Sequence, residues 1–160
     1  MGDTARLVNM AREAGLRVAT AESCTGGMLA AAITETPGAS SVFEWGVVTY
    51  ANAAKRSLLG VSAESLDAHG AVSEEVAAEM ARGARDRSGA EIAISITGLA
   101  GPGGSDHKPE GRVCFGVATR NGIATETVEF GARGRDTVRA LSRDRAIALV
   151  IAAIEAQARP

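Results

Sequence analysis

The chain has 160 residues, enough for a substantial core, so residues 1–160 are expected to form a single domain. Hydrophobic residues make up 46% of it and aromatics only 3%, so Ala, Val, Ile and Leu must build that core. A formal net charge of −2 supplies no field to gather nucleic acid or an anionic membrane, and no apolar run is long enough to span a bilayer.

In chain order, Thr4–Ala14 is predicted as a helix with Leu7, Val8, Ala11 and Ala14 on one face, stopped by Gly15. Arg17–Ala21 is a short strand. Gly26–Thr34 is a helix ended by Pro37-Gly38. Trp45–Tyr50 is a β-rich run, and Asn52–Leu59 is a helix up to Gly60. "AVSEEVAAEMARGARDRSG" is a helix with Ser73 as its N-cap, and Glu74 and Glu75 oppose the positive end of its dipole. "AEIAISIT" alternates as a strand does. "RVCFGVATRNGIATETVEF" predicts a hairpin about an Asn121-Gly122 turn. The last helix runs from about Asp136 to Ala158, with Val138, Leu141, Ala148, Ile151 and Ile154 facing inward. This order predicts a three-layer α/β/α sandwich. Its sheet is mixed and mostly parallel, with one antiparallel hairpin.

Two glycine-rich loops stand out. "TAESCTGG" joins a strand to a helix and presents Ser23 and Cys24 beside Gly26 and Gly27. Such a turn suits an anion or an oxyanion, and it would activate a thiol. Equally, Ser23 or Thr25 could be a plain helix cap. The second loop, "TGLAGPGGSDHKPEG", spans Thr97–Gly111 and holds five glycines and two prolines. It fits neither a P-loop nor a dinucleotide fingerprint. Parallel strands would bring both loops to one carboxyl edge of the sheet, where ligands of α/β proteins bind.

A third segment, "GVVTYANAAKRSLLGV", carries the only tyrosine, Tyr50, and Lys55, one of two lysines in a chain rich in arginine. Lysine, unlike arginine, can lose its proton. The alternative is a solvated helix lysine. His69 and His107 lie far apart in sequence, so no metal motif or local triad signature is present. Cys24 and Cys114 make no disulfide framework, and free thiols without an apolar signal segment predict a cytoplasmic protein.

Together "AESCTGG", "GVVTYANAAKRSLLGV…GAVSEEVAAEMARGA" and "TGLAGPGGSDHKPEGRV" resemble the carboxyl-terminal domain of the CinA family, whose stand-alone members are nicotinamide-nucleotide amidohydrolases. The resemblance covers nearly the whole chain. It implies the same three-layer fold, hydrolysis of the carboxamide of nicotinamide mononucleotide, and a homodimer. It assigns Ser23 as nucleophile and Lys55 as base, with Tyr50 and Thr97 in the same site. Thr25, Gly26, Gly27, Gly98, Ala100, Gly101 and Gly103 would bind substrate, with Arg135 at the phosphate. Carboxamide hydrolysis needs neither metal nor organic cofactor. Two rivals remain at this point: Cys24 as nucleophile, and a nucleotide-binding module without catalysis.

Overall fold

A computed structural model describes residues 2–105 and 107–159; Met1, Pro160 and Asp106 of the second glycine loop lie outside the described residues. The elements are α1 (Asp3–Ala14), β1 (Val18–Glu22), α2 (Met28–Thr34), β2 (Phe43–Val48), α3 (Asn52–Leu59), α4 (Ala63–His69), α5 (Glu74–Ser88), β3 (Ile92–Gly98), β4 (Arg112–Thr119), β5 (Gly122–Glu129) and α6 (Arg135–Ala158). The sheet order is β2-β1-β3-β4-β5. β1 pairs in parallel with β2 and β3, whereas β4 runs antiparallel to both of its neighbours. Four of the five strands therefore share a direction, and the β4–β5 hairpin supplies the reversal.

The two faces of the sheet are built differently. Val18, Ile92, Ile94, Ile96, Val113 and Phe115 pack against α1, α2 and α6 in one cluster of branched and aromatic side chains. The other face presents Ala19, Ala21, Ala93 and Ala118 to α5, which answers with Val76, Met80, Ala81 and Ala84. Small residues let the backbones approach closely. A Cβ added to Gly116 would come within 2.4 Å of the Ala77 carbonyl, and one on Gly83 within 1.9 Å of the Leu59 carbonyl. α5 is thus pressed onto the sheet, and α3 onto α5. This seats Lys55, one turn before Leu59, under the carboxyl edge of β1.

Several local expectations change. α2 starts at Met28, because Gly26 and Gly27 adopt positive φ of 57° and 103° and hold the preceding turn out of the helix. Its N-cap is Gly27, so neither Ser23 nor Thr25 caps it. The hairpin turns one residue early: Thr119 pairs with Gly122, leaving Arg120 and Asn121 as the loop. On α6, Ala148 faces outward and Leu141 is half-buried. Ser142, Ala146, Ile147 and Val150 join Val138, Ile151 and Ile154 inside. α4, absent from the sequence reading, is capped by Ser62, whose hydroxyl accepts from the Ser65 amide. Ser73 caps α5 as expected, accepting from the Val76 amide.

No helix among the described residues is long and apolar enough to cross a membrane.

Candidate active site

The parallel register that aligns Glu22 with Ile96 brings the ends of β1 and β3, and so the two glycine loops, to one edge. Ser23 follows directly, its amide donating to the Ile96 carbonyl at 2.9 Å. Alternation along β1 puts Ser23 on the same side as Ala19 and Ala21, toward α5 and α3. There its hydroxyl meets Lys55: Nζ lies 2.9 Å from Oγ of Ser23. The same Nζ donates to the carbonyls of Thr49 at 2.7 Å and Tyr50 at 3.2 Å.

Lys55 is 1% exposed. No carboxylate is paired with it among the described residues. Burial without a counter-charge disfavours the ammonium, and the pKa falls from 10.5 to about 8. The solvated-lysine alternative is thereby excluded, and a large fraction of Lys55 is neutral at mildly alkaline pH.

Cys24 is chemically different from its neighbour. Its side chain packs in the α1/α2/α6 cluster, on the face opposite Lys55. Desolvation there pushes the thiol up from 9.0 to about 11, so the thiolate is scarce at neutral pH.

A cleft of about 230 Å³ opens at the same edge, lined by Cys24, Tyr50, Gly98, Ala100, Gly101, Gly103 and Arg135 among others; Ser23 and Lys55 are not among its lining residues. Arg135, the first residue of α6, spans it: Nη1 donates to the Gly101 carbonyl and Nη2 to the Tyr50 hydroxyl, each at 2.7 Å. Glu110 braces the far side of the second loop by accepting from the Gly103 amide. Tyr50 is exposed, and its ring and Arg135 form the outer rim. Of the residues singled out in the sequence, Tyr50, Gly98, Ala100, Gly101, Gly103 and Arg135 meet in this cleft.

Thr97, Thr25, Gly26 and Gly27 sit differently. Thr97 lies next to Ser23 across the strand register, but its hydroxyl donates to the Ala71 carbonyl at 2.8 Å. Thr25 is fully buried, with its hydroxyl donating to Glu22 at 2.6 Å. The Gly26 amide is engaged by the Ser23 carbonyl at 3.1 Å. Among the described residues the amides of Thr25 and Gly27 have no acceptor, while the Cys24 amide faces its own sulfur.

Two further residues, Glu22 and Arg139, hold the turn that carries Ser23. Glu22, 1% exposed, accepts from the amides of Leu29 and Ala30 at 3.0 Å each, besides the Thr25 hydroxyl. It therefore does the capping of α2 from a distance. Arg139, one turn after Arg135, donates through Nε to the Cys24 carbonyl at 3.0 Å and through Nη2 to the Thr25 carbonyl at 3.4 Å. The available signal was a glutamate closing an otherwise apolar strand, directly before the nucleophile. No group of three or more His, Cys, Asp or Glu side chains among the described residues is placed to hold a metal ion.

The sequence profile of the family described as "CinA C-terminal domain" matches residues 3–154. A "CinA-like protein" of Chlorobium phaeobacteroides is 54% identical over 124 residues, covering 75% of this chain and 30% of that protein. A "putative competence-damage inducible protein" of Symbiobacterium thermophilum is 59% identical over 109 residues, covering 68% of this chain and 26% of that protein. The chain thus spans about a third or less of these curated relatives. Solved structures match it nearly end to end. A competence/damage-inducible protein of Agrobacterium tumefaciens has a TM-score of 0.88 at 43% identity and covers 95% of this chain and 96% of its own. A CinA superfamily protein of Klebsiella pneumoniae has a TM-score of 0.92 at 40% identity, with 96% of each chain covered.

Proposed function

Because this chain belongs to the CinA C-terminal domain family, we propose that it is an amidohydrolase that converts nicotinamide mononucleotide to nicotinate mononucleotide and ammonia. The observation that carries the reading is the buried 2.9 Å contact between Lys55 Nζ and Ser23 Oγ.

That contact has two protonation states with different consequences. As an ammonium, Nζ has three hydrogens for three acceptors: Ser23 Oγ and the Thr49 and Tyr50 carbonyls. As a neutral amine it has two, which the carbonyls retain, so its lone pair faces the hydroxyl. Loss of one proton turns Ser23 from acceptor into donor and Lys55 into its base.

Ser23 Oγ then attacks the carboxamide carbon while its proton passes to Nζ. The Gly27 amide, unengaged and on a part-exposed residue of the turn, is available to the developing oxyanion. Collapse breaks the C–N bond, and the proton on Nζ goes to the departing ammonia. A water molecule, deprotonated by the neutral Lys55, cleaves the acyl-enzyme and frees Ser23. Arg135 and the second glycine loop provide donors for the phosphate. Cytoplasmic location and a homodimeric assembly belong to the same reading.

Ammonia release from nicotinamide mononucleotide, paired with calorimetry, tests it. Release by the wild type and none by Ser23→Ala supports the enzyme. Micromolar binding with no ammonia above the spontaneous rate would replace it with a nucleotide-binding module.

A further inference from the structure

Lys108 is the second of the chain's two lysines and belongs to the second glycine loop. Its ammonium is committed to backbone: Nζ donates to the carbonyl of His69, the last residue of α4, and to that of Val72 at 2.6 Å. The segment between α4 and α5 is held in this way along its length. The Gly70 carbonyl accepts from the Ser73 hydroxyl, and the Ala71 carbonyl from the Thr97 hydroxyl, each at 2.8 Å. Four consecutive carbonyls, those of residues 69–72, thus take a side-chain donor, and one lysine serves two of them. Gly70 leaves the room: its φ is 76°, and a Cβ there would stand 2.8 Å from Nζ.

At its backbone end Lys108 organises its own loop. Its amide and carbonyl pair with the carbonyl and amide of Ser105 at 2.6 and 3.1 Å. A Cβ on Gly104 would come within 2.2 Å of the Lys108 carbonyl oxygen, so the loop is folded closely upon itself there. Leu99, at the start of the loop, packs with Val72, Ala77 and Cys114. The loop therefore has two sides. Gly98, Ala100, Gly101 and Gly103 line the cleft, where Arg135 holds the Gly101 carbonyl. Lys108 is not among the residues lining the cleft; it lines a separate recess of about 610 Å³ with His69, Val72 and Cys114.

We infer that Lys108 is a positioning residue, which fastens the second glycine loop from behind to the segment between α4 and α5 and so keeps the cleft wall in its binding shape. A loop with five glycines loses much backbone freedom when it is ordered. Ordering it in advance removes that cost from ligand binding. Thr97 ties the same segment to β3, beside Ser23 in the strand register, so the wall and the nucleophile share one anchor. The inference rests on the amidohydrolase reading for its ligand and adds to it what shapes the binding wall.

The test compares wild type, Lys108→Met, Lys108→Gln and Lys108→Arg. Hydrogen exchange of the loop is followed in the free protein, nicotinamide mononucleotide binding by calorimetry, and ammonia release against pH. Lys108→Met keeps the apolar stem and removes the donors. Amides of the loop, those of Leu99 and Gly111 included, should exchange faster, and Kd and KM should rise about ten-fold. The kcat and its pH midpoint should stay those of the wild type, because Ser23 and Lys55 are untouched. Lys108→Arg, which can still donate to both carbonyls, should recover most of the affinity. Lys108→Gln is too short to reach both and should resemble Lys108→Met, so the inference is judged on it if Lys108→Met does not fold. Unchanged binding in the Met and Gln variants would overturn the inference. Weakened binding with unchanged loop exchange would overturn it too, by making Lys108 a direct ligand contact. A wild type that binds the mononucleotide but releases no ammonia would remove the amidohydrolase reading alone, and Kd and exchange would still decide the role of Lys108. A wild type that does neither would overturn both.

Discussion

Lys55 Nζ sits 2.9 Å from Ser23 Oγ although 32 residues separate them in the chain, and no carboxylate among the described residues pairs with it. Replacing Ser23 by Ala removes one hydroxyl and leaves two carbonyl acceptors for Nζ. The fold should persist, with unchanged circular dichroism. Amidase activity should fall by several orders of magnitude, as is usual for loss of a nucleophile. Retention of a tenth of the wild-type rate would remove Ser23 from the mechanism.

Activity should rise with pH through a midpoint near 8, where Lys55 loses its proton. Lys55→Arg should lose kcat, because arginine keeps its charge. A near-normal kcat in that variant would show that the residue acts as a fixed charge instead.

The same ionisation has a consequence for stability. The folded lysine has its pKa depressed from 10.5 to about 8. Between those values the unfolded chain holds a proton that the folded chain has released, so this group's contribution to stability rises with pH across the window. Below about pH 8 both states are protonated and the fold bears the whole penalty of the buried charge. Lys55→Met removes the penalty. Its stability relative to wild type should be most favourable at pH 7 and decline by about 3 kcal/mol toward pH 10.5. Urea titrations at both pH values measure this, and a pH-independent difference would mean that Lys55 is not perturbed.

Cys24→Ala should remain active. The thiol, held near pKa 11 in the apolar cluster, is protonated wherever the enzyme works. Stability should drop by about 1 kcal/mol for the lost packing. Abolished ammonia release in a folded Cys24→Ala protein would reverse the assignment of the nucleophile.

Tyr50→Phe should affect binding more than chemistry. It removes the hydroxyl that orients Nη2 of Arg135 while leaving the bond to the Gly101 carbonyl. KM for the mononucleotide should rise a few-fold with kcat held, while turnover of nicotinamide riboside, which lacks the phosphate, should be unaffected. A parallel change for both substrates would separate Arg135 from the phosphate.

The sequence announced the sheet and five of the six helices because those features are local or periodic, whereas the pairing of Ser23 with Lys55, 32 residues apart, came only from the family resemblance. Asn52–Leu59 has Lys55 and Leu59 on one side and Gly60 at its end, and it folds over those residues. α4 escaped because none of its residues is buried, so it has no apolar stripe to read. The α6 face was misassigned around Ser142, whose hydroxyl donates to the Val138 carbonyl at 2.7 Å and so can be buried. Glu22 was invisible for a different reason. Capping rules look just ahead of a helix, whereas this carboxylate acts across a glycine turn, seven residues from the first amide it accepts. Arg139 reaches its carbonyls from 115 residues away, a distance that no spacing rule spans.

The sheet-side layer of Ala19, Ala21, Ala93, Gly116 and Ala118 that faces α5 has an entropic side. Alanine and glycine have no rotamers to surrender on burial, so ordering this layer draws on backbone freedom almost alone. The support under Lys55 is consequently stiff, with few side-chain torsions through which to absorb a perturbation. Gly83→Ala would place a methyl carbon 1.9 Å from the Leu59 carbonyl oxygen, and the adjustment would have to travel as a rigid displacement of α3 and its lysine.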